Sequence, residues 1–209
     1  MRRLIGVLVA IAVIIGILAI GDVWARHRVQ TVMAQHIQSE LPGSKASVHI
    51  SSFPFLGRLA ASGKVPEVDA NVRDVSAAGL NFSNIRVLIH GLQVDNAKLT
   101  SREVVLQKIS SGSVVGDITQ ASIDHLSGAP IVLGSGTVEL AGITVTPAVT
   151  ISENHIVVTL GHLPPLQIPI PQISILPCVG SAAIVPGAVR VSCQLTQLPP
   201  ALANVSVKF

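Results

Sequence analysis

Aromatic residues are scarce in this sequence, since 209 residues include no tyrosine, one tryptophan and four phenylalanines. Aromatic side chains can therefore supply little of a hydrophobic core, and the abundant aliphatic residues must form most of it. A chain of this length is typical of one domain or of two small ones. One domain is the simpler interpretation.

Positive charge is missing from much of the C-terminal half. No lysine or arginine occurs between Lys108 and Arg190, and the whole chain has a formal net charge of only +3. A protein that binds nucleic acid needs clustered cations to displace the counterions of the phosphates. We therefore expect no nucleic-acid partner.

Sequence motifs of enzymes and metal sites are also absent. There is no Gly-x-Ser-x-Gly turn, no His-Glu-x-x-His sequence and no glycine-rich phosphate loop. Ser122, Asp124 and His125 lie close together in the sequence, but on a short helix such neighbours point in different directions. We therefore assign no catalytic residue, no metal ligand and no cofactor.

Only two cysteines are present, Cys178 and Cys193. Between them, Val185–Pro186–Gly187–Ala188 is typical of a tight turn, and the two cysteines lie almost symmetrically on either side of it. In an oxidising compartment this arrangement favours a disulfide across a hairpin. Two reduced, buried thiols are the alternative.

One long uncharged segment is present, at the N-terminus. After Arg2 and Arg3, residues Leu4–Ile20 carry no charge. At about 1.5 Å per residue a helix of this length spans about 26 Å, near the low end for a bilayer core of about 30 Å. The two arginines predict that this end lies in the cytoplasm, so the rest of the chain is exported.

The end of this segment has two interpretations. Val23–Trp24–Ala25 ends in the small residue that a signal peptidase accepts, whereas Trp24 also suits a membrane interface. Residues 1–25 are therefore either a signal anchor or a cleaved signal peptide, and residues 26–209 are predicted to form a single extracytoplasmic domain. The predicted location is the cell membrane, with a single pass, or the periplasm and cell envelope after secretion.

The remaining sequence changes from a helical to a strand pattern. Apolar residues at three- and four-residue steps predict an amphipathic helix over about residues 27–41, ended by Pro42–Gly43. A second, short helix is predicted with Asp117 as its N-cap and Gly128 after its end. Alternating apolar and polar residues predict strands over 46–51, 67–73, 80–90, 92–99, 103–109, 137–145, 149–152, 155–160, 166–175, 188–195 and 205–209.

These patterns predict an α+β fold that is mainly β, with a curved antiparallel sheet packed on the long N-terminal helix. Prolines at 169 and 171 restrict the segment around them to an edge strand or an extended rim. Apolar runs such as Ile131–Val132–Leu133 indicate strands with both faces buried. Either a sandwich or a curved sheet with an apolar groove for a lipid would bury them.

One stretch, "SSFPFLGRLAASGKVPEVDANVRDVSAAGL", resembles the actinobacterial LmeA-like phospholipid-binding family of exported mycobacterial cell-envelope proteins. The resemblance rests on a Phe-Pro-Phe-Leu core, a short link with arginine and glycine, an alternating strand and a Gly-Leu step, which are here Phe53–Leu56, Arg58, Gly63, Val68–Val75 and Gly79–Leu80. It extends more loosely over most of the chain.

The resemblance implies an envelope protein that binds or handles phospholipid and meets the cytoplasmic membrane through its N-terminal segment. Phospholipase activity is associated with the family, which makes an envelope phospholipase or hydrolase the alternative. A structural envelope protein that binds a protein partner is the second alternative.

Within the motif, Phe53, Phe55 and Leu56 are candidates for the wall of an acyl-chain groove. Arg58 is a candidate donor to a phosphate, because charge-assisted hydrogen bonds to phosphate are strong. The other interpretation is that both phenylalanines plug one end of the core, with Pro54 setting the bend.

Overall fold

The computed structural model of the protein describes residues 2–95, 98, 103–152, 155–161, 164–170, 173–203 and 206–208, and of 2–15, 17, 18, 103, 104 and 206–208 only the backbone. The helices among them are α1 (Arg2–Glu40), α2 (Phe55–Ser62), α3 (Gln120–Ser127) and α4 (Pro200–Ala203). The strands are β1 (Lys45–Ile50), β2 (Lys64–Ala77), β3 (Leu80–Val94), β4 (Glu103–Lys108), β5 (Ser111–Thr119), β6 (Ile131–Leu133), β7 (Val138–Leu140), β8 (Ile143–Val145), β9 (Ala148–Ser152), β10 (His155–Thr159), β11 (Leu166–Pro169), β12 (Ser181–Val185), β13 (Ala188–Leu195) and β14 (Ser206–Lys208).

The strands form one large and two small antiparallel sheets. The main sheet has the order β1-β2-β3-β5-β13-β12, and β4 pairs with both β3 and β14. The small sheets have the orders β11-β10-β9 and β6-β7-β8. The predicted mainly β architecture with antiparallel sheets and an N-terminal helix is confirmed.

The main sheet is apolar on one face and polar on the other. On β2, Val68, Ala70 and Val72 are fully buried, whereas Asp69 and Asn71 between them are partly exposed. The hairpin to β3 turns at Ala78 and Gly79, which both have positive φ (52° and 79°) as a two-residue type I′ turn requires. Only one face of this sheet therefore contributes to the core.

The C-terminal part of α1 covers part of that core. Its buried side chains recur every four residues and form one stripe, made of Ala25, Val29, Met33, Ile37 and, just after the helix, Leu41. The helix contacts β1, α2 and α4. The amphipathic helix predicted for residues 27–41 is confirmed, but it is the end of a longer helix that begins at Arg2.

The predicted membrane segment consists mainly of residues of which the structure describes only the backbone, namely 4–15, 17 and 18. Among the residues that the structure describes, we find no helix of sufficient length and apolarity to cross a membrane.

The short internal helix α3 begins later than predicted. Its N-cap is Thr119, whose hydroxyl oxygen accepts a hydrogen bond from the Ser122 N–H at 3.4 Å. Asp117, the predicted cap, lies instead in β5 and pairs with Arg190 on β13 at 2.7 Å. The sequence did not predict β5 because two of its inward positions are Gly112 and Gly116, which interrupt the apolar alternation.

Several other predictions are corrected by the small sheets. The strand predicted for 137–145 is a hairpin of β7 and β8 that turns at Ala141–Gly142, where both φ values are positive. In β6, Val132 is 54% exposed, so only one face of this strand is buried. Strand β11 does lie at a sheet edge, as its proline predicts.

Parts of the remaining predicted strands, at residues 96, 97, 99, 171, 172, 205 and 209, lie outside the described residues.

The predicted disulfide is present and joins Cys178 to Cys193, with Cα atoms 5.8 Å apart. Strands β12 and β13 form the predicted hairpin, in which Val185 pairs with Ala188 across the turn. The bond ties the segment before β12 to the middle of β13.

We expect that replacing both cysteines, as Cys178→Ser with Cys193→Ser, lowers the free energy of unfolding by about 3 kcal/mol. The bond closes a loop with a sequence separation of 15, and a loop of this size restricts the unfolded chain by that amount. Chemical unfolding of the full chain in mild detergent, followed by circular dichroism, measures the change. Reduced wild-type protein is the control and should match the double variant. Equal stability of the oxidised and reduced proteins would contradict this prediction.

Candidate functional site

The Phe-Pro-Phe-Leu motif contains the predicted bend, at Phe53 and Pro54, and its last two residues begin α2, a helix that the sequence did not predict. Pro54 is the N-cap residue, and the helix ends at Gly63, which has a φ of 61° and whose N–H donates to the Leu59 carbonyl at 2.8 Å. Glycine suits this position because a left-handed backbone strains other residues. The helix has only Phe55 and Leu59 as buried residues, which is too short a pattern to reveal a helical period.

The N-terminus of α2 is capped by a residue from α1. The side chain of Pro54 has no hydrogen-bonding atom, so it leaves the first N–H groups of the helix unpaired. The Asp22 carboxylate accepts from the Phe55 N–H at 2.8 Å and from the Leu56 N–H at 2.6 Å. Asp22 is only 4% exposed. A buried carboxylate is stable here because both oxygens accept hydrogen bonds and because a helix N-terminus favours negative charge.

The four predicted lipid-binding residues face different directions. Phe55 is 1% exposed and belongs to the core, whereas Phe53 is 64% exposed and Leu56 is 38% exposed. Arg58 is also exposed. The structure thus brings Phe53, Leu56 and Arg58 to the surface and places Phe55 in the interior, and their assignment to lipid stays a prediction.

Further apolar side chains are exposed on the neighbouring turns of α1. Ile20, Val23 and Trp24 are 73%, 49% and 62% exposed. Their spacing of three and four residues places them on one helix face, where they line a shallow, open depression whose surface is apolar.

We name the five residues Ile20, Val23, Trp24, Phe53 and Leu56 the apolar collar. The two parts of the collar lie on helices that meet, because Asp22, next to Val23 in α1, accepts a hydrogen bond from the Leu56 N–H of α2. In the described part of the chain, the other large hydrophobic side chains with comparable exposure are Leu126, Val132 and Ile143. The collar is therefore the main concentration of exposed apolar side chains in that part.

Two arginines on the main sheet are paired with carboxylates. Arg86 binds Asp69 at 2.6 Å and Arg190 binds Asp117 at 2.7 Å. The hydrogen bond from each arginine to its carboxylate, followed by the charge of that carboxylate, raises the pKa of both guanidinium groups. The positive charge of these two guanidinium groups is therefore compensated within the sheet.

The arginines near the collar, in contrast, have no carboxylate partner among the described residues. Arg26 and Arg28 on α1 and Arg58 on α2 form no ion pair with any residue that the structure describes. The acidic residues of these two helices are Asp22, which is buried at the α2 N-terminus, and Glu40 at the far end of α1. The junction of α1 and α2 therefore combines exposed apolar groups with uncompensated positive charge.

A second apolar region lies in the interior, where the two small sheets meet α3 and the β12–β13 hairpin. Its lining is entirely apolar and includes Ile123, Leu133 and Ile168. The cavity that remains there is about 10 Å³, which is no larger than the space for one water molecule. An acyl chain could enter this region only if the small sheets moved away from the main sheet.

The polar residues of α3 have structural partners. The Ser122 hydroxyl is buried and accepts from the Asn81 N–H at 2.8 Å, and the Asp124 carboxylate accepts from the Ile131 N–H at 2.8 Å. These contacts join α3 to β3 and β6. Among the described residues, no group of three or more His, Cys, Asp or Glu side chains is placed to hold a metal ion.

Together, the fold and the junction define a mainly antiparallel β protein with an N-terminal helix and an exposed apolar surface beside free arginines. A sequence model of the family described as LmeA-like phospholipid-binding matches residues 20–202. Because this match spans nearly the whole chain, the protein belongs to that family, and the resemblance in its sequence is confirmed. No curated protein matches the chain. No solved structure matches it either.

The two phenylalanines of the motif are expected to differ sharply in their effect on stability. Phe55→Ala should lower the free energy of unfolding by about 3–5 kcal/mol, because it leaves a cavity in the core. Phe53→Ala should change it by no more than about 0.5 kcal/mol, because the ring is exposed. Chemical unfolding of both variants and the wild type measures this difference. A similar loss in the two variants would show that Phe53 also contributes to the core.

Proposed function

We propose that this protein binds phospholipid at the extracytoplasmic surface of the cytoplasmic membrane and that the apolar collar is the surface that contacts the lipid. The observation that carries this proposal is the exposure of Trp24, Phe53 and Leu56 on two helices that meet at Asp22. Soluble surfaces seldom gather apolar groups in this way unless a partner covers them. Because the chain belongs to a family described as phospholipid-binding, we infer that the partner that covers these side chains is a lipid.

The position of the collar on α1 supports a membrane partner. The helix runs without a break from Arg2 to Glu40, and the uncharged segment Leu4–Ile20 ends at the first collar residue. We propose that this segment is a single-pass anchor with its N-terminus in the cytoplasm. The collar would then lie at the outer interface of the bilayer, where tryptophan is favoured.

The charge around the collar supports an anionic phospholipid. Arg26, Arg28 and Arg58 have no carboxylate partner among the described residues, so they are available for phosphate groups. Each such side chain near an anionic membrane surface contributes about 1 kcal/mol. In this arrangement Phe53 and Leu56 contact acyl chains while Arg58 contacts the headgroup.

We expect the double substitution Phe53→Ser with Leu56→Ser to lower the phospholipid retained by the full chain by at least about tenfold. Burial of a large apolar side chain contributes about 1.5–3 kcal/mol, and about 1.4 kcal/mol corresponds to a factor of ten. Lipid extraction from detergent-purified protein, followed by mass spectrometry, measures the retained phospholipid.

The matched control for this experiment is Ile143→Ser, since Ile143 is 67% exposed but lies on β8, outside the collar. It should retain phospholipid like the wild type. Equal retention by the collar variant and the wild type would rule out the collar as the lipid surface. Release of fatty acid during the assay would instead favour a hydrolase.

We expect Arg58→Gln to change lipid preference more than total binding. The ratio of retained anionic to zwitterionic phospholipid should fall about fivefold, which corresponds to the loss of about 1 kcal/mol from one cation. Equimolar mixed-lipid micelles at low salt are the test system. Arg73→Gln is the control, because Arg73 is exposed on β2 and also lacks an ion pair within the described chain. An equal fall in both variants would indicate a general charge effect rather than a site.

A further inference from the structure

We infer that Asp22 is the residue that positions the Phe53–Leu56 motif, and that the chain is therefore retained intact across the Ala25–Arg26 bond. The folded domain then begins at or before Asp22. This inference does not depend on lipid binding, since it rests on contacts between α1 and α2.

The first argument is the hydrogen bonding at the start of α2. Asp22 accepts from the Phe55 and Leu56 N–H groups at 2.8 and 2.6 Å, and these two residues are 33 and 34 positions away in the chain. Pro54, the local N-cap residue, supplies no side-chain acceptor. Cleavage after Ala25 would remove the carboxylate and leave these N–H groups without that partner.

The second argument is the packing of the residues before the proposed cleavage bond. Asp22 is 4% exposed and Ala25 is 3% exposed, and both precede Val29 and Met33 on the buried stripe of α1. The small side chain of Ala25, which made residues 23–25 resemble a processing site, therefore has a packing role. A larger residue there would meet the core.

The third argument comes from the family match, which begins at residue 20. It therefore includes Asp22 and Ala25, both of which lie on the N-terminal side of the Ala25–Arg26 bond that a signal peptidase would cut. The match is independent of the contacts in the structure, and both place the turn of α1 around Asp22 within the domain.

Two consequences follow for the collar. Asp22 holds the first turn of α2 against α1, so the Phe53–Leu56 motif stays close to the turn of α1 that carries Asp22. Because α1 is continuous through Asp22, the orientation of the motif is tied to the direction of this helix. Asp22 is thus a positioning residue, whose two carboxylate oxygens accept from backbone N–H groups of α2.

Retention of the segment is tested on the full chain expressed in a host that processes exported proteins. The protein is recovered from the membrane fraction, digested with trypsin and analysed by mass spectrometry. We expect the peptide that ends at Arg26 and contains Asp22, which proves that the Ala25–Arg26 bond was intact. A mature protein whose first residue is Arg26 would overturn the inference.

The positioning role is tested by hydrogen exchange of the Phe55 and Leu56 amides in the full chain. In Asp22→Ala we expect both amides to exchange at least about tenfold faster, because they lose their acceptor. In Asp22→Asn, which keeps one carbonyl oxygen, one of the two should remain protected. The amide of Val87 in the main sheet should be unchanged in both variants. Glu40→Gln removes an exposed carboxylate from the same helix and should alter none of these amides.

The Asn variant keeps the test decisive if the Ala variant does not fold, because asparagine has nearly the shape of aspartate. Unchanged protection at Phe55 and Leu56 would overturn the positioning role, as would equal acceleration of these amides and of Val87. If both amides lose protection in Asp22→Ala while lipid retention stays at the wild-type level, the proposed function of the collar is contradicted and this inference stands.

Discussion

The main sheet has a single apolar face, and covering that face is the constraint on which the rest of the structure depends. The cover is assembled from parts that are far apart in sequence, including α1, α2 and the small sheets. Strand β1 lies at one edge of the sheet and α1 packs against it through a stripe from Ala25 to Leu41. Since each large side chain that is fully buried contributes about 1.5–3 kcal/mol, this stripe ties the N-terminal helix firmly to the domain.

The same helix connects the core to the surface that we assign to lipid. Asp22 continues the buried stripe but is polar, and its carboxylate is satisfied by the backbone of α2. The side chains on the other face of that turn, Val23 and Trp24, are left exposed. One turn of helix therefore packs inward, caps a second helix and presents apolar groups outward, which explains why the motif and the end of the uncharged segment meet.

Much of the fold could be predicted because local patterns and the tertiary structure agree. Alternation identified the long strands β2 and β3, and the turn at residues 185–188 identified the disulfide-linked hairpin. Prediction was wrong where the pattern was weak. Two glycines among the inward positions hid β5, and α2 is so short that only Phe55 and Leu59 mark its buried face. Asp117 appeared to be a helix cap because local sequence does not reveal its partner on β13, Arg190.

The sequence by itself indicated the class of elements and the family, favoured a disulfide between Cys178 and Cys193, and singled out the Phe53–Leu56 motif. Only the tertiary structure decided that Phe55 faces the core while Phe53 faces outward, and that Asp22 belongs with them. The physical reason is that burial and hydrogen bonding depend on contacts between α1 and α2, more than thirty residues apart. Periodicity reports the face of one element, whereas the partner of a lone carboxylate is set by how two elements pack.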